Sequence, residues 1–278
     1  MKQIVVIFTC FNRKEKTLAC IRSILEQNEE LEFSFVVVDD HSSDGTAEQL
    51  EELKKAGMRL EILHGDGNLY WAGGMRRGIA YAKENTDGDG YLLVNDDVEF
   101  YPGKISWLVQ AAEQLAEKNA CKTVLVGPMC DGMGNFSYGG IRYKKGIHYE
   151  EVHPTDEDRS CDSFNMNCLL VPRDIFMELP NFDTHYIHSL ADFDYGLEMR
   201  RRQIPVFVAD SYVGVCPDND PKGGWTDRSL SRKERLKKKE SVKGAPFGPW
   251  FYFLRKNFGI TEALLHAFTP YVRILLGK

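Results

Sequence analysis

The sequence contains no apolar run near the roughly 20 residues that a membrane-spanning helix requires, which argues against a chain that crosses a bilayer. None of its seven cysteines (Cys10, Cys20, Cys121, Cys130, Cys161, Cys168 and Cys216) stands in a CxxC pair. With an odd count, that argues against a disulfide framework and for reduced thiols in a cytosolic protein. Positive charge is not in excess either: 35 Lys and Arg face 41 Asp and Glu, for a formal net charge of -6. Nothing global is left to hold nucleic acid. The opening Met1-Lys2-Gln3-Ile4-Val5-Val6-Ile7-Phe8 carries one Lys and a short apolar run, and leads straight into Thr9-Cys10-Phe11-Asn12-Arg13. Lacking the small-residue cleavage site of a secretory signal, it is expected to be a first buried strand. Internal repeats and low-complexity segments are also missing. What remains, 278 residues of which 43% are hydrophobic, suffices for one catalytic domain, expected over 1–216, with a basic and aromatic extension over 217–278.

The first hundred residues alternate between two periodicities. Ile4 to Phe8 is a continuous apolar run, and Leu18, Ile21, Ile24 and Leu25 recur at helical spacing between Glu15 and Glu26. Phe33 to Val38 is a second β-rich run, and Ser42-Ser43-Asp44-Gly45-Thr46 supplies turn and cap residues for a helix to about Lys55. Leu60 to Leu63 and Tyr91 to Val94 read as strands with a helix over Gly73 to Lys83 between them. Such alternation predicts right-handed crossovers and a mainly parallel sheet flanked by helices, an α/β fold. Ligands of such sheets sit at the carboxyl ends of the strands, which sets Thr9 to Arg13, Asp39 to Asp44 and Asn95 to Asp97 along one edge. Beyond residue 121 the pattern loosens. Val124 to Gly127, Asn167 to Val171 and Val206 to Ala209 read as strands, Tyr138 to Tyr143 with Ile147 to Val152 as a hairpin, and 218–228 as loop. Pro172 to Leu179 and Ala191 to Arg202 read as helices, the latter acidic at its start and basic at its end, as the helix dipole favours.

Carboxylates crowd at the end of the fourth strand, in Asn95-Asp96-Asp97-Val98-Glu99. Crowding of that kind is costly unless a cation or hydrogen-bond donors neutralise it, and oxygen ligands suit Mg²⁺ or Mn²⁺. Read alone, the segment is equally a solvated acidic turn. Asp39 and Asp40 close the second strand, where a carboxylate can accept hydrogen bonds from a base or ribose, while Ser42 to Thr46 is fully explained as a helix cap.

Taken in order, Phe8-Thr9-Cys10-Phe11-Asn12-Arg13, Val38-Asp39-Asp40-His41-Ser42-Ser43-Asp44-Gly45-Thr46, Gly67-Asn68 followed by Gly73-Gly74, Asn95-Asp96-Asp97, and Asp192-Phe193-Asp194-Tyr195-Gly196-Leu197 resemble the family-two glycosyltransferases, which have a GT-A fold. The resemblance covers about residues 3 to 215. It implies an inverting transfer of a sugar from a nucleotide-sugar, UDP- or dTDP-linked, to an acceptor hydroxyl of a growing polysaccharide or lipid-linked glycan. It further implies that Thr9, Cys10, Phe11, Asn12, Arg13 and Asp40 contact base and ribose, and that Asn68, Gly73, Gly74 and Arg76 pass beside the donor. Asn95 and Asp96 join that donor set, Asp97 holds the metal, and Asp192 is the catalytic base. Asn95 departs from the Asp common at its position, so fewer charges would face a cation. Asp194 is too close in sequence to Asp192 to share its helix face and is expected to have a different job on the acceptor side. Tyr70 and Trp71 are expected to offer an aromatic wall for a sugar or to join the core. Where relatives place a metal-binding His after the last core strand, this chain has Cys216, read here as a packing residue, because a thiolate prefers softer metals than Mg²⁺.

The extension concentrates Arg232, Lys233, Arg235, Lys237, Lys238 and Lys239 just before aromatic and apolar residues from Phe247 to Leu276. Two readings stand side by side: attachment to an anionic membrane surface at the inner face of the plasma membrane, or packing on the catalytic domain or on a second copy in a homodimer. Two rival functions share the same sheet. A nucleotidyltransferase would carry a Gly-rich, Lys- or Arg-containing phosphate loop after the first strand, which is missing here; a non-catalytic nucleotide-binding partner would be indifferent to loss of Asp192.

Overall fold

A computed structural model of the chain describes residues 1–27, 30–217 and 222–278. The first half follows the expected alternation: β1 (Gln3–Cys10), α1 (Lys14–Leu25), β2 (Glu32–Asp39), α2 (Thr46–Lys55), β3 (Leu60–His64), α3 (Tyr70–Asn85) and β4 (Gly90–Val94). β1 pairs in parallel with β2 on one side and β4 on the other. Both of its faces are covered, so Ile4 to Phe8 are all buried and the strand reads as unbroken apolar sequence. α3 begins at Tyr70, three residues before the expected Gly73. Its glycines let it settle onto the sheet: a Cβ at Gly74 would stand 2.2 Å from Thr9 Oγ1, and one at Gly78 would stand 2.9 Å from Ile7 Cγ2.

After β4 come β5 (Glu99–Phe100), α4 (Lys104–Asn119), β6 (Val124–Val126), β7 (Met129–Cys130) and β8 (Phe136–Tyr138). They are followed by β9 (Gly140–Lys145), β10 (His148–Val152), β11 (Ser163–Phe164), β12 (Cys168–Pro172), α5 (Arg173–Glu178), α6 (Ala191–Arg201), β13 (Val206–Val208) and β14 (Gly214–Val215). The main sheet runs β13-β6-β12-β4-β1-β2-β3. Within it β12 runs against its neighbours, β4 and β6, and the other pairings are parallel, so the sheet is mainly parallel, as expected. The hairpin forms between β9 and β10, with Gly146 at positive φ in its turn. Its first strand starts at Gly140, not Tyr138, because Phe136 to Tyr138 pair with β7 in a different sheet. The switch falls at Gly139 and Gly140, where a Cβ on Gly140 would meet Val208 at 2.4 Å.

The extension is helical: α7 (Arg232–Lys239), α8 (Phe247–Phe258), α9 (Ile260–His266) and α10 (Thr269–Leu275). Ser231 opens α7 with a reciprocal capping box to Glu234, satisfying two otherwise orphan N–H groups. Phe253, Leu254, Ala263 and Ala267 lie in the same buried cluster as Val5, Tyr91 and Tyr195. The extension therefore contributes to the same core as β1, β4 and α6. Of the loop expected over 218–228, residues 218–221 lie outside the described residues. Among the described residues no helix is long and apolar enough to cross a membrane.

Candidate active site

The cleft opens at the carboxyl ends of β1, β2 and β4 and is lined by Thr9, Cys10, Phe11, Arg13, Asp40, Gly67, Tyr70, Trp71, Asp96, His188 and Lys243. Backbone strain collects there. Of the six non-glycine residues at positive φ among the described residues, Asn12, His41 and Tyr70 belong to the cleft or its immediate chain neighbours, and Leu190 immediately precedes α6. Such conformations cost about 1–3 kcal/mol each and persist where the surroundings hold them for a purpose.

Asp40 organises the loop before α3. Its Oδ1 accepts from Gly67 N at 2.9 Å and its Oδ2 from Tyr70 N at 3.0 Å, which fixes Tyr70 and Trp71 on the cleft wall. Gly65 has no room for a side chain, since a Cβ would lie 2.4 Å from Asp40 Oδ1. Trp71 Nε1 donates to Asn95 Oδ1 at 2.8 Å, so the Asn at this position orients the indole. An Asp there would make the same bond only by burying another charge. Asn12 Oδ1 accepts from Ser43 N at 2.7 Å, and Asp44 joins the starts of α1 and α2 by accepting from Lys14 N at 2.9 Å and Thr46 N at 3.1 Å. The N-cap of α2 is Gly45, at positive φ and without a side-chain cap bond, so Asp44 one residue earlier ties down the first N–H of the helix instead.

At the end of β4, Arg13 Nη1 lies 2.7 Å from Asp97 Oδ2 and 3.3 Å from Asp96 Oδ1. Asp96 is buried and also accepts from Thr17 Oγ1 at 3.4 Å. Burial raises its carboxyl to about 6, with Arg13 opposing and Asp97 adding to the rise. The other oxygen of Asp97 faces Cys216, whose Sγ donates to Oδ1 at 3.8 Å. Burial, followed by the charge of Asp97, pushes that thiol up to about 12, so in the metal-free protein it is neutral at physiological pH and acts as a donor. Asn167 Nδ2 in turn donates to Cys216 Sγ at 3.2 Å.

Asn167 leads to the second acid. The backbone N–H of Phe193 donates to the Asp192 carboxylate at 2.9 Å, and the backbone of Met166, the neighbour of Asn167, also favours its ionised form. Residues 166 and 167, just before antiparallel β12, thus bear on both acids: the Met166 backbone favours the ionised form of Asp192, and Asn167 reaches Asp97 through Cys216. Burial raises Asp192 to about 6 despite these backbone contributions. Asp194 faces elsewhere: it is buried, pairs with Lys256 at 2.7 Å and accepts from Asn257 at 2.9 Å. It docks α8 against α6.

Arg76 is held away by backbone carbonyls. Its guanidinium donates to the carbonyls of Phe182 at 3.0 Å, Asp183 at 2.9 Å and Tyr186 at 2.6 Å, which makes it an anchor of the loop before α6. Asn68 is exposed and bonded within its own turn to Asp66. Gly74 has a packing reason to be glycine, and Gly73 is buried beside Leu69. Lys16, 3.9 Å from Asp97, with Thr17, Asn167, His188 and Lys243, are site residues that sequence reasoning misses.

As a metal site the cluster is lean. Asp97 is half-buried beside the buried Asp96, both are engaged by Arg13, Asn95 is held by Trp71, and among the described residues no group of three or more His, Cys, Asp or Glu is poised for a metal. A hard divalent cation would find few protein oxygens here, Asp97 being the more exposed of the two acids, and would need phosphate and water oxygens to complete its shell, the usual habit of Mg²⁺.

Residues 5–165 match the profile described as glycosyl transferase family 2. The chain belongs to that family. Its fold is GT-A: S. aureus TarS 1–349, solved in complex with UDP-GlcNAc, superposes with a TM-score of 0.58 at 13% identity, covering 100% of this chain and 72% of that one. The mannosyltransferase PcManGT from Pyrobaculum calidifontis, solved with GDP-Man and Mn²⁺, gives 0.54 at 12% identity, covering 99% and 73%. Among curated sequences, N-acetylglucosaminyl-diphospho-decaprenol L-rhamnosyltransferase of Mycobacterium tuberculosis is 24% identical over 185 residues. The chain spans 59% of the length of that relative, and the match takes in 59% of the chain.

Proposed function

We propose that this glycosyltransferase inverts the anomeric carbon of a UDP- or dTDP-sugar while moving it to a hydroxyl of a growing polysaccharide or lipid-linked glycan, in the building of a bacterial-type surface polysaccharide. The observation that supports this reading is that two adjacent residues serve the two acids: Asn167 reaches Asp97 through Cys216, and the backbone of Met166 favours the ionised form of Asp192. It ties an acid fit for the leaving-group side to an acid fit for the acceptor side.

Asp192 takes the proton of the acceptor hydroxyl as that oxygen bonds to the anomeric carbon. The bond from that carbon to the diphosphate breaks, and its electron pair leaves with the nucleotide. A carboxylate held near 6 is ionised at neutral pH yet more basic than a free Asp, which suits a general base. Arg13 and Lys243 both line the cleft and offer positive charge to the departing diphosphate. A Mg²⁺ or Mn²⁺ ion, held by Asp97 and the donor's phosphates, would supply further positive charge to that leaving group. Asp40 and the loop it fixes offer polar partners for a pyrimidine nucleoside.

The extension adds a location. Leu264, Leu265, Phe268, Val272, Leu275 and Leu276 are exposed along α9 and α10. α7, with its Lys and Arg, packs against α10, Lys239 lying over the Tyr271 ring and Arg235 Nη2 donating to Lys278 O. An apolar stripe beside a cationic helix on an otherwise acidic protein fits an anionic lipid surface, which makes the enzyme peripheral at a cytoplasmic membrane face. Vesicles containing anionic lipid should sediment it and zwitterionic ones should not; dimerisation through the stripe without vesicle binding would replace this part of the reading.

A thermal-shift panel of nucleotides with and without Mn²⁺ tests the donor assignment, since a ligand that binds only the native state raises the melting temperature by mass action. UDP or dTDP should raise it, and more so with Mn²⁺. A panel in which no pyrimidine diphosphate does so overturns the assignment.

A further inference from the structure

Where the extension meets the catalytic domain it closes over a cavity of about 670 Å³, within the range of small-molecule sites. Its wall is mostly apolar and aromatic: Trp225, Pro249, Trp250 and Pro270 from the extension face Ile147 and Tyr149 of the hairpin. Two features tie it to the chemistry. Leu190, two residues before Asp192, forms part of the wall, and His188 lines both this cavity and the donor cleft. The His188 ring sits edge-on to Tyr70 at 6.3 Å, and its Nδ1, shielded from solvent, has no partner among the described residues. Burial, together with the charges of Lys243 and Arg13, lowers this imidazole to about 4, so at neutral pH it is uncharged and can exchange a hydrogen bond with a hydroxyl.

We infer that this cavity is the acceptor site and that it takes an amphiphilic glycoside, with the sugar end against His188 beside the donor cleft and the apolar aglycone against Trp225, Trp250 and the proline-rich wall. The inference rests on the transferase reading above and deepens it. A free sugar would need polar partners along its whole length, whereas most of this wall is apolar, with Glu240, His266, Thr269 and Arg273 as its polar members on the extension side. α9 and α10 also carry the exposed apolar stripe on their outer side while His266, Thr269, Pro270 and Arg273 line the cavity. An aglycone seated here therefore lies one helix away from the surface proposed to meet lipid.

The test uses the whole chain and two probes, n-octyl β-D-glucopyranoside below its micellar concentration and methyl β-D-glucopyranoside, followed by tryptophan fluorescence and ligand-observed NMR. Octyl glucoside should bind saturably and at least tenfold tighter than methyl glucoside. Ala245→Phe, which fills the cavity from the extension side, should weaken octyl glucoside at least tenfold while the melting shift with UDP persists; Ser189→Trp fills it from the catalytic-domain side and serves if the first variant does not fold. Leu265→Gln, on the outer stripe, should leave octyl glucoside binding unchanged. Equal affinity for the two glycosides, undiminished binding in a folded cavity-filled variant, or loss of binding in Leu265→Gln would each overturn the inference. The absence of any nucleotide-induced melting shift would instead overturn the donor reading and leave this result standing.

Discussion

Arg13 and Asp97 form an ion pair of 2.7 Å at the mouth of the cleft, with Asp96 as a second, longer partner at 3.3 Å. Any metal that binds Asp97 competes with a guanidinium belonging to the protein itself. Arg13→Gln should therefore raise the affinity for Mn²⁺ measured without nucleotide by several-fold, read by electron paramagnetic resonance of free Mn²⁺. Unchanged Mn²⁺ affinity would mean that Arg13 does not contest the site.

Lys243 enters the donor cleft from the turn between α7 and α8. A rim ammonium facing phosphates contributes about 1 kcal/mol, so Lys243→Met should weaken UDP binding by roughly 3- to 10-fold in titration calorimetry, with no change in the urea midpoint. An identical UDP affinity would separate the extension from donor binding.

Lys256 holds the extension to the catalytic domain through Asp194 at 2.7 Å and Asp183 at 2.9 Å. Burial alone would raise the Asp183 carboxyl, but hydrogen bonds from His185 N, Lys256 and Tyr252 outweigh it and hold it well below the usual range. Replacing Lys256 with Met leaves Asp194 as a buried charge without its cation, at a cost of about 3 kcal/mol. The urea midpoint should fall accordingly, and a midpoint unchanged within error would show that α8 docks by apolar contact alone.

Asp192 sits in a folded environment that raises it to about 6, above the ~3.9 of an unfolded Asp. Folding thus disfavours its ionised form. Stability from this group is full below about pH 4, declines as pH rises toward 6, and stays diminished above that. Asp192→Asn should accordingly be more stable than the wild type at pH 8, by about 1–3 kcal/mol, and the gain should vanish near pH 4. A gain that persists at pH 4 would place its origin elsewhere.

The first four strands of the parallel sheet are legible because such a sheet buries both faces, leaving continuous apolar runs such as Ile4 to Phe8 that cannot be mistaken for loops. Their carboxyl ends announce Thr9 to Arg13, Asp40 and Asn95 to Asp97 for the same reason. α4 is absent from the expected helices although Ile105, Leu108, Val109 and Ala112 repeat at helical spacing, so its signal is there to be used. Other features leave no local trace. β12 runs antiparallel, which brings its beginning to the edge where parallel strands end, so Met166 and Asn167 reach the site from a side that the strand-end rule does not inspect. Arg76 is expected beside the donor, but the carbonyls of Phe182, Asp183 and Tyr186 claim its guanidinium, and only tertiary structure sets that direction. Lys243 belongs to no motif and lies far along the chain from Arg13, Asp40 and Asp96; the long-range fold alone brings it to their cleft.

The central claim, that Asp192 serves the reaction while the carboxyl ends of β1, β2 and β4 hold the donor, is tested most directly by measuring UDP affinity and turnover together in Asp192→Asn. Affinity within about twofold of wild type with turnover reduced by about 10²–10⁴ is the predicted result. Turnover that survives, or affinity that falls in step with it, would contradict the account.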